Sequence, residues 1–120
     1  MAEKIIFAEK PVGDEPWDVA IIGSGPASLT ASIYTTRGAA STLILGGEKW
    51  GGQLMLTTTV DNFPGFPEGI QGPDLMNAMR KQAERFGGQF MEKNVEKIDF
   101  AKEPNEIAAG GVVYKARAGI

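Results

Sequence analysis

The fold is decided by residues 17–28, which read Trp17-Asp18-Val19-Ala20-Ile21-Ile22-Gly23-Ser24-Gly25-Pro26-Ala27-Ser28. The first six form a nearly continuous apolar run rich in β-branched side chains, which is typical of a strand buried on both faces of a parallel sheet. Pro26 suits the first position of a helix, and Gly38 would end that helix. A second apolar run, residues 42–45, predicts the next strand. The order strand, Gly-rich turn, helix and strand predicts a βαβ unit.

The turn in this unit has the spacing of a dinucleotide-binding motif, Gly23-x-Gly25-x-x-Ser28. Its first glycine permits a tight turn, and its second lets the backbone approach a pyrophosphate held by the free N–H groups of the helix. The third position usually holds Gly or Ala, so Ser28 departs from the pattern. The alternative interpretation is a tight strand-to-helix turn that binds no ligand.

The motif also expects an acid about 20 residues further on, at the end of the second strand, to bind the ribose hydroxyls. The chain has Gly46 there and no carboxylate before Glu48. Three alternatives remain open at this point. Backbone groups of the Gly46-Gly47 turn bind the ribose, Glu48 reaches back to it, or the affinity for a dinucleotide is reduced.

Composition excludes several classes of function. The 120 residues include no Cys and no His, which excludes a disulfide framework, a Cys or Cys/His zinc site, a catalytic thiol and a His-based triad on these residues. Lys and Arg number 12 and Asp and Glu 15, a net charge of −3 that suits neither nucleic acid nor an anionic membrane. We expect no metal site and no catalytic side chain. With no signal peptide or membrane-spanning run, the expected location is the cytoplasm.

A long Gly-rich loop, residues 46–67, follows the second strand and is a candidate ligand wall, because long connections in compact domains tend to be functional. Its Gly51-Gly52-Gln53 step is either a flexible loop or a backbone that lies against a ligand, with the Gln53 amide at its polar edge. Asn62 is either a ligand contact or a turn former. The aromatic side chains Trp17, Trp50, Phe63 and Phe66 are interpreted as packing residues.

The rest of the chain predicts one more helix and three short strands. Gly72 is predicted as the N-cap of the helix and Gly87 as its end, and Leu75, Met76 and Met79 form its buried stripe. Residues 89–91, 95–100 and 106–116 predict strands, with Gly110-Gly111 as a hairpin turn. Residues 1–16 precede the first strand and are predicted to form an arm that packs loosely or is mobile.

With these motifs assembled, the chain resembles the FAD-binding half of a low-molecular-weight, prokaryote-type thioredoxin reductase, a pyridine nucleotide-disulfide oxidoreductase. The resemblance covers residues 17–116 and rests on separate motifs in the family's order. They are Ile21-Ile22-Gly23-Ser24-Gly25-Pro26-Ala27, Gly51-Gly52-Gln53-Leu54, Thr57-Thr58-Thr59, Asn62-Phe63-Pro64-Gly65-Phe66, Gly72-Pro73-Asp74-Leu75-Met76 and Arg80-Lys81-Gln82-Ala83-Glu84-Arg85-Phe86-Gly87.

The resemblance implies an FAD site and a role for each matching position. The pyrophosphate would lie against Gly23, Ser24, Gly25, Pro26 and Ala27. Gly46 and Gly47 would face the adenosine ribose, and the backbone of Val95 the adenine. The Gly51-Gly52 step with Gln53, Leu54, Thr58 and Asn62 would approach the flavin. In that family FAD passes electrons from NADPH to a Cys-x-x-Cys pair and on to thioredoxin.

The same resemblance implies parts that these 120 residues lack: the cysteine pair, the NADPH-binding domain, and a strand directly after Arg117 that ends in an Ala-Thr-Gly turn. We therefore expect a truncated α/β fold, in which residues 17–120 form a Rossmann-like FAD-binding βαβ unit with a peripheral β-hairpin or meander. An edge of the first strand is expected to be unpaired or poorly covered. Stability would then come from FAD, from a second chain that supplies the missing portion, or from self-association.

The function expected is that of the FAD-binding portion of a thioredoxin-disulfide reductase-like flavoprotein, catalytically incomplete on these residues alone. One alternative is a non-catalytic module whose exposed sheet edge pairs with another protein. Another is a generic NAD or nucleotide binder, against which the loop from Gln53 to Phe66 argues, because a plain dinucleotide half-domain does not need it. FAD is the expected partner, and thioredoxin is a partner by family only.

Overall fold

The structure is a computed structural model and describes residues 7–120. Within that range it has two α-helices, α1 (Pro26–Arg37) and α2 (Gly72–Arg85), and a short 3₁₀ helix, Gly52–Leu56. Its strands are β1 (Trp17–Ile22), β2 (Thr42–Leu45), β3 (Thr59–Val60), β4 (Ile70–Gln71), β5 (Gln89–Met91), β6 (Val95–Asp99), β7 (Asn105–Ala109) and β8 (Val112–Gly119). Neither helix in the described range is long and apolar enough to cross a bilayer.

Six of these strands form one sheet in the order β5-β2-β1-β8-β7-β6. Strands β5, β2, β1 and the end of β8 run parallel, whereas β6, β7 and β8 form an antiparallel meander. Strands β3 and β4 pair separately. The α/β class, the βαβ unit and the peripheral meander predicted from the sequence are confirmed.

Two apolar clusters lie on opposite faces of β2, as its alternating side chains require. Ile44 packs with Leu29 of α1 and with the buried stripe of α2, and Leu54, Phe63 and Phe66 of the long loop pack against the same cluster. Leu43 and Leu45 pack instead with Ile107, Ala109 and Ala116 of the meander. The helices and the meander therefore cover opposite faces of the parallel strands, which fixes the carboxyl ends of β1 and β2 between them.

The predicted elements agree closely with the observed ones. Helix α1 begins at Pro26 and is followed by Gly38, and β2 covers the predicted residues. The hairpin turn is Gly110-Gly111, where both residues have positive φ, as a two-residue turn between antiparallel strands requires. Helix α2 includes Gly72, and its N-cap is Gln71 rather than Gly72. The loop after β2 is less irregular than expected, because it contains the 3₁₀ helix and β3.

The prediction that an edge of β1 is left unpaired is wrong. Strand β8 continues past Ala116 and pairs with β1 in parallel, with Val19 opposite Ala118 and Ala20 opposite Gly119. The N–H of Ile120 donates to the carbonyl of Ala20 at 3.0 Å, and the N–H of Ile22 donates to the carbonyl of Ile120 at 2.9 Å. The beginning of the strand expected after Arg117 is therefore present, and β1 lies between two strands.

The predicted N-terminal arm is only partly described, because residues 1–6 lie outside the described residues. Ala8 is 2% exposed and its N–H donates to the carbonyl of Phe86 at 3.1 Å. The rings of Phe7 and Phe86 meet edge to face at 5.4 Å, and the guanidinium of Arg37 lies over both. At this point the arm is packed onto the end of α2, which corrects the expectation of loose packing there.

Candidate functional site

The turn between β1 and α1 is shaped by Gly23 and Ser28. Gly23 has φ +125°, a conformation that favours glycine. A Cβ added to it would lie 2.7 Å from the hydroxyl oxygen of Ser28. The strand and the helix thus meet at these two residues. Ser28, which stands where the motif usually has Gly or Ala, is accommodated because Gly23, the residue that it contacts, has no side chain.

The N-terminus of α1 is open toward solvent at Gly25, its N-cap. No side chain caps the helix, and its first turn contains no acidic residue. Pro26 has no N–H, and the first amide that bonds within the helix is that of Leu29, which donates to the Gly25 carbonyl at 3.1 Å. The amides of Ala27 and Ser28 thus belong to the set without an intrahelical partner. A Cβ at Gly25 would meet nothing within 4 Å, so there is free space in front of these donors. Such a turn fits a pyrophosphate.

Ser24 connects this turn to two other segments. Its hydroxyl donates to the carbonyl of Gly46 and accepts from the N–H of Gly51, both at 2.8 Å, and the residue is 6% exposed. The sequence predicts that Ser24 helps to hold the pyrophosphate. Because the hydroxyl is engaged inside the protein, only the Ser24 backbone remains for that role.

The end of β2 has no room for the acid that the motif expects at residue 46. A Cβ on Gly46 would lie 2.7 Å from Cε1 of Phe90 and 3.0 Å from Cβ of Ser24. The Phe90 ring is held in place by Trp50, edge to face at 5.5 Å, and by the Arg80 guanidinium, 3.9 Å from the ring centroid. The missing carboxylate is thus a consequence of the packing around β2.

A residue that the sequence analysis missed, Asn94, holds the segment after Gly46. Its side-chain oxygen accepts the N–H of Glu48 at 2.9 Å, and its amide nitrogen donates to the Glu48 carboxylate at 3.4 Å. The N–H of Gly47 donates to the carbonyl of Lys93 at 3.1 Å. In the sequence, the one signal that pointed to Asn94 was its position directly before Val95, whose backbone the resemblance assigns to the adenine.

The Gly51-Gly52 step lies against the turn between β1 and α1. Both glycines have positive φ, and a Cβ on Gly52 would lie 3.6 Å from Cα of Gly25. A Cβ on Gly51 would lie 2.9 Å from Sδ of Met55. The step opens a 3₁₀ helix and is tied to Ser24, so it is an ordered part of the loop. Contact of its backbone with a ligand stays a prediction.

The residues predicted at the flavin end are more dispersed. The side chains of Gln53, Thr58 and Asn62 are exposed, and that of Leu54 packs against the core beside α2. The carbonyl of Thr58 accepts the N–H of Gly72 at 2.8 Å, which places it at the start of α2. No hydrogen bond among residues 7–120 joins Asn62 to the turn between β1 and α1. The roles of these four residues stay predictions.

Val95 begins β6 on the other side of the site. Its side chain packs with the core cluster between the sheet and the meander. Its neighbour Asn94 contacts Glu48, so the Val95 backbone lies close to the end of β2. The predicted contact of this backbone with adenine stays a prediction. The structure therefore brings together Gly23–Ala27, Gly46-Gly47, Gly51-Gly52 and the segment before Val95.

Replacing Ser24 by alanine is expected to lower the free energy of unfolding by about 2 kcal/mol, because it leaves the buried Gly51 N–H and the Gly46 carbonyl without a partner. Urea denaturation measures the loss. Ser28→Ala is the matched control, since the Ser28 side chain forms no hydrogen bond within residues 7–120, and we expect a change within about 0.5 kcal/mol. Equal effects of the two substitutions would contradict the bridging role of Ser24.

Comparisons with known proteins bear on this site. A profile of the family described as pyridine nucleotide-disulphide oxidoreductase matches residues 17–115. The chain is 46% identical over 101 residues to a thioredoxin reductase of Rickettsia felis, and 50% identical over 91 residues to NADPH-dependent thioredoxin reductase 3 of Arabidopsis thaliana. These matches take in 83% and 72% of this chain but 33% and 17% of those proteins, so the chain spans a third or less of these relatives' length.

Solved structures agree with the sequence comparisons. The thioredoxin reductase from Giardia duodenalis is 36% identical to the chain and matches it with a TM-score of 0.83 over 88% of this chain and 35% of that one. One from Gloeobacter violaceus is 32% identical, with a TM-score of 0.82 over 87% and 33%. The predicted resemblance to the FAD-binding portion of thioredoxin reductases is confirmed, as is the assignment to an oxidoreductase family that uses a flavin. Because the family profile matches residues 17–115, which are most of the chain, the chain belongs to the pyridine nucleotide-disulphide oxidoreductase family.

Proposed function

We propose that this chain binds FAD and acts as the flavin-holding portion of a thioredoxin-disulfide reductase-like flavoprotein. The observation that carries the proposal is the open turn at Gly25. There the N-terminus of α1 has amides without an intrahelical partner and free space at Gly25, Gly52 lies against Gly25, and the Ser24 hydroxyl ties Gly46 and Gly51 to the same turn. A Gly-rich turn with free amides at a helix N-terminus is what binds a dinucleotide pyrophosphate.

The roles of the segments are proposed from the family resemblance. The amides that follow Gly25 bind the pyrophosphate, the end of β2 and the segment before Val95 bind the adenosine, and the loop from Gln53 to Asn62 approaches the flavin. The hydroxyl of Ser24 keeps these segments together rather than contacting the ligand. The residues proposed for the site are Gly23, Ser24, Gly25, Pro26, Ala27, Gly46, Gly47, Gly51, Gly52, Gln53, Leu54, Thr58, Asn62 and Val95.

Bound FAD would supply the transfer of electrons from a nicotinamide donor to a disulfide. These 120 residues contain no cysteine, so none of them forms or breaks that disulfide. What the chain contributes is binding, orientation and the exclusion of water from one side of the cofactor. NADPH as donor, thioredoxin as acceptor, a second chain that supplies further parts, and a cytoplasmic location are proposed on the family resemblance.

The alternative, a non-catalytic module that pairs with another protein through an exposed sheet edge, stays open. Among residues 7–120 β8 occupies the edge of β1, so such pairing would have to use an outer strand of the sheet, β5 or β6. A generic nucleotide binder is less well supported, since Leu54, Met55, Phe63 and Phe66 of this loop pack against the core cluster that includes α2, which a plain connection would not do. FAD binding is the function that the open turn at Gly25 supports best.

Titration of the purified chain with FAD is the direct test. We expect saturable quenching of flavin fluorescence, and at a free FAD concentration a hundred times Kd, a gain of about 2.7 kcal/mol in the free energy of unfolding. For a chain of this size that gain raises the melting temperature by about 10 °C. FMN, which lacks the adenosine and the pyrophosphate, is the control and should bind more weakly. The absence of both quenching and a melting shift with FAD would overturn the proposal.

A further inference from the structure

A cluster of one cation and two aromatic rings borders the candidate site, and the proposed function gives it no role. Arg80 lies on α2 four residues after Met76 and three before Ala83, both fully buried, so it stands at the edge of the buried face of the helix. Its guanidinium lies over two rings, 3.9 Å from the centroid of Phe90 and 4.7 Å from that of Trp50. One cation thus connects α2 with β5 and with the long loop after β2.

Two carboxylates orient the Arg80 guanidinium. A carboxylate oxygen of Glu84, one turn further along α2, lies 3.4 Å from Nε, and one of Glu92, directly after β5, lies 3.6 Å from Nη1. Both acids are about half exposed, so these ion pairs add little stability of their own. The Arg80 side chain is only 21% exposed, which leaves its attraction to the two rings less screened than at the surface. The ion pairs therefore serve to keep the planar guanidinium against the rings.

Each of the two rings lies at one end of the segment from Gly46 to Gly51. The Phe90 ring packs against Gly46 so closely that a Cβ there would lie 2.7 Å from its Cε1. Trp50 directly precedes Gly51, whose N–H is bound by the turn between β1 and α1 at 2.8 Å. By holding both rings, Arg80 restrains both ends of the segment that joins β2 to the Gly-rich step beside the candidate site.

We infer that Arg80 is a positioning residue for the proposed FAD site, acting through Phe90 and Trp50 on the segment from Gly46 to Gly51. It acts through the rings and not by contact with the cofactor. A segment held in its binding conformation before the ligand arrives binds more tightly, because the apparent Kd rises as the competent fraction of chains falls. The inference rests on the proposed function and goes beyond it, since it places a determinant of affinity on α2, outside the residues proposed for the site.

Fluorescence titration of the Arg80→Met chain with FAD tests this role. Methionine keeps an apolar stem and removes the cation, and we expect the Kd for FAD to rise about 10-fold, as it does when one chain in ten keeps the segment ordered. A merely structural role would lower the free energy of unfolding and leave the Kd of the folded chain unchanged. Urea denaturation measures the stability of each variant. Arg80→Lys, which keeps the charge without the planar group, is the milder second variant, and it should raise the Kd at least about threefold.

Arg85→Met is the matched control on the same helix. The Arg85 guanidinium also lies over a ring, 5.3 Å from the centroid of Phe86, but this ring follows the helix and packs on Phe7 of the N-terminal arm. The control should bind FAD as tightly as the wild-type chain.

A double variant tests whether Arg80 acts through the Phe90 ring. In that case Arg80→Met should raise the Kd by a smaller factor in a Phe90→Leu chain than in the wild-type chain. The same factor in both chains, or an unchanged Kd in Arg80→Met and Arg80→Lys, would overturn the inference and leave FAD binding standing. So would an equal rise in Arg85→Met. Failure of the wild-type chain to bind FAD would overturn the proposed function, and the inference with it.

Discussion

Replacing Gly25 by valine is expected to abolish FAD binding without unfolding the chain. Gly25 has φ −76°, which every residue can adopt, and an added Cβ meets nothing within 4 Å. The unliganded fold therefore accommodates the branched side chain. The space that this side chain fills lies in front of the free amides at the start of α1, where the pyrophosphate is proposed to bind. We expect FAD affinity to fall at least about 100-fold, or 2.7 kcal/mol, in a fluorescence titration.

Gly38→Val is the matched control at the other end of the same helix. Gly38 has φ −80°, and an added Cβ would make only ordinary contacts, 3.4 Å and 3.5 Å from the carbonyl oxygens of Thr35 and Tyr34. This variant should bind FAD like the wild-type chain. Wild-type affinity in Gly25→Val would exclude this turn as the phosphate site. A Gly25→Val chain that fails to fold would contradict the open space in front of the turn.

The βαβ unit could be predicted from the sequence because each of its signals is local. A continuous apolar run, a proline at the start of a helix and a glycine at its end act over a few residues, and the observed bounds of α1 and β2 follow them. The two-residue turn at Gly110-Gly111 is local in the same sense. When the residues that determine a helix, strand or turn lie within that element, the sequence pattern is sufficient to predict it.

The pairing of β8 with β1 could not be predicted in this way. Residues 116–120 lie about a hundred positions from their partners, and Ala116-Arg117-Ala118-Gly119 has no strong strand pattern of its own. The strand forms because the preceding hairpin places these residues beside β1. Backbone hydrogen bonds pair the two strands there, and such bonds do not depend on which side chains the residues carry. Tertiary context thus decided this element.

The candidate site shows the same division. The glycines of the turn were found from their spacing, but the internal use of the Ser24 hydroxyl depends on partners 22 and 27 residues away. The contact of Asn94 with Glu48 spans 46 residues. The spacing of residues in the sequence identifies which residues of a single turn are candidates for ligand contact. It does not reveal which side chains hold the surrounding segments in place.

Gly72→Ala is the substitution with the largest expected effect on stability. Helix propensity and packing predict opposite signs for its change in the free energy of unfolding. The structure makes Gly72 the first residue of α2, and within a helix alanine is favoured over glycine by about 1 kcal/mol, so helix propensity alone would make the variant more stable. In the structure, a Cβ on Gly72 would overlap the carbonyl oxygen of Leu54 and lie 2.6 Å from Cγ2 and 3.0 Å from the carbonyl oxygen of Thr57. We expect overpacking to prevail and the free energy of unfolding to fall by about 3 kcal/mol in urea denaturation.

The cause of that loss can be located with one further substitution. Two of the three atoms in the way are backbone oxygens, which cannot rotate aside, and the third is the Thr57 methyl group. Thr57→Ser removes only the methyl, so the Gly72→Ala/Thr57→Ser double variant should recover less than half of the lost stability relative to Thr57→Ser alone. Gly38→Ala, which adds the same methyl at an uncrowded helix end, should change stability by less than about 0.5 kcal/mol. A Gly72→Ala chain more stable than wild type would show that the segment from Leu54 to Thr58 does not lie this close to the start of α2. Its proposed approach to the flavin would then need another support.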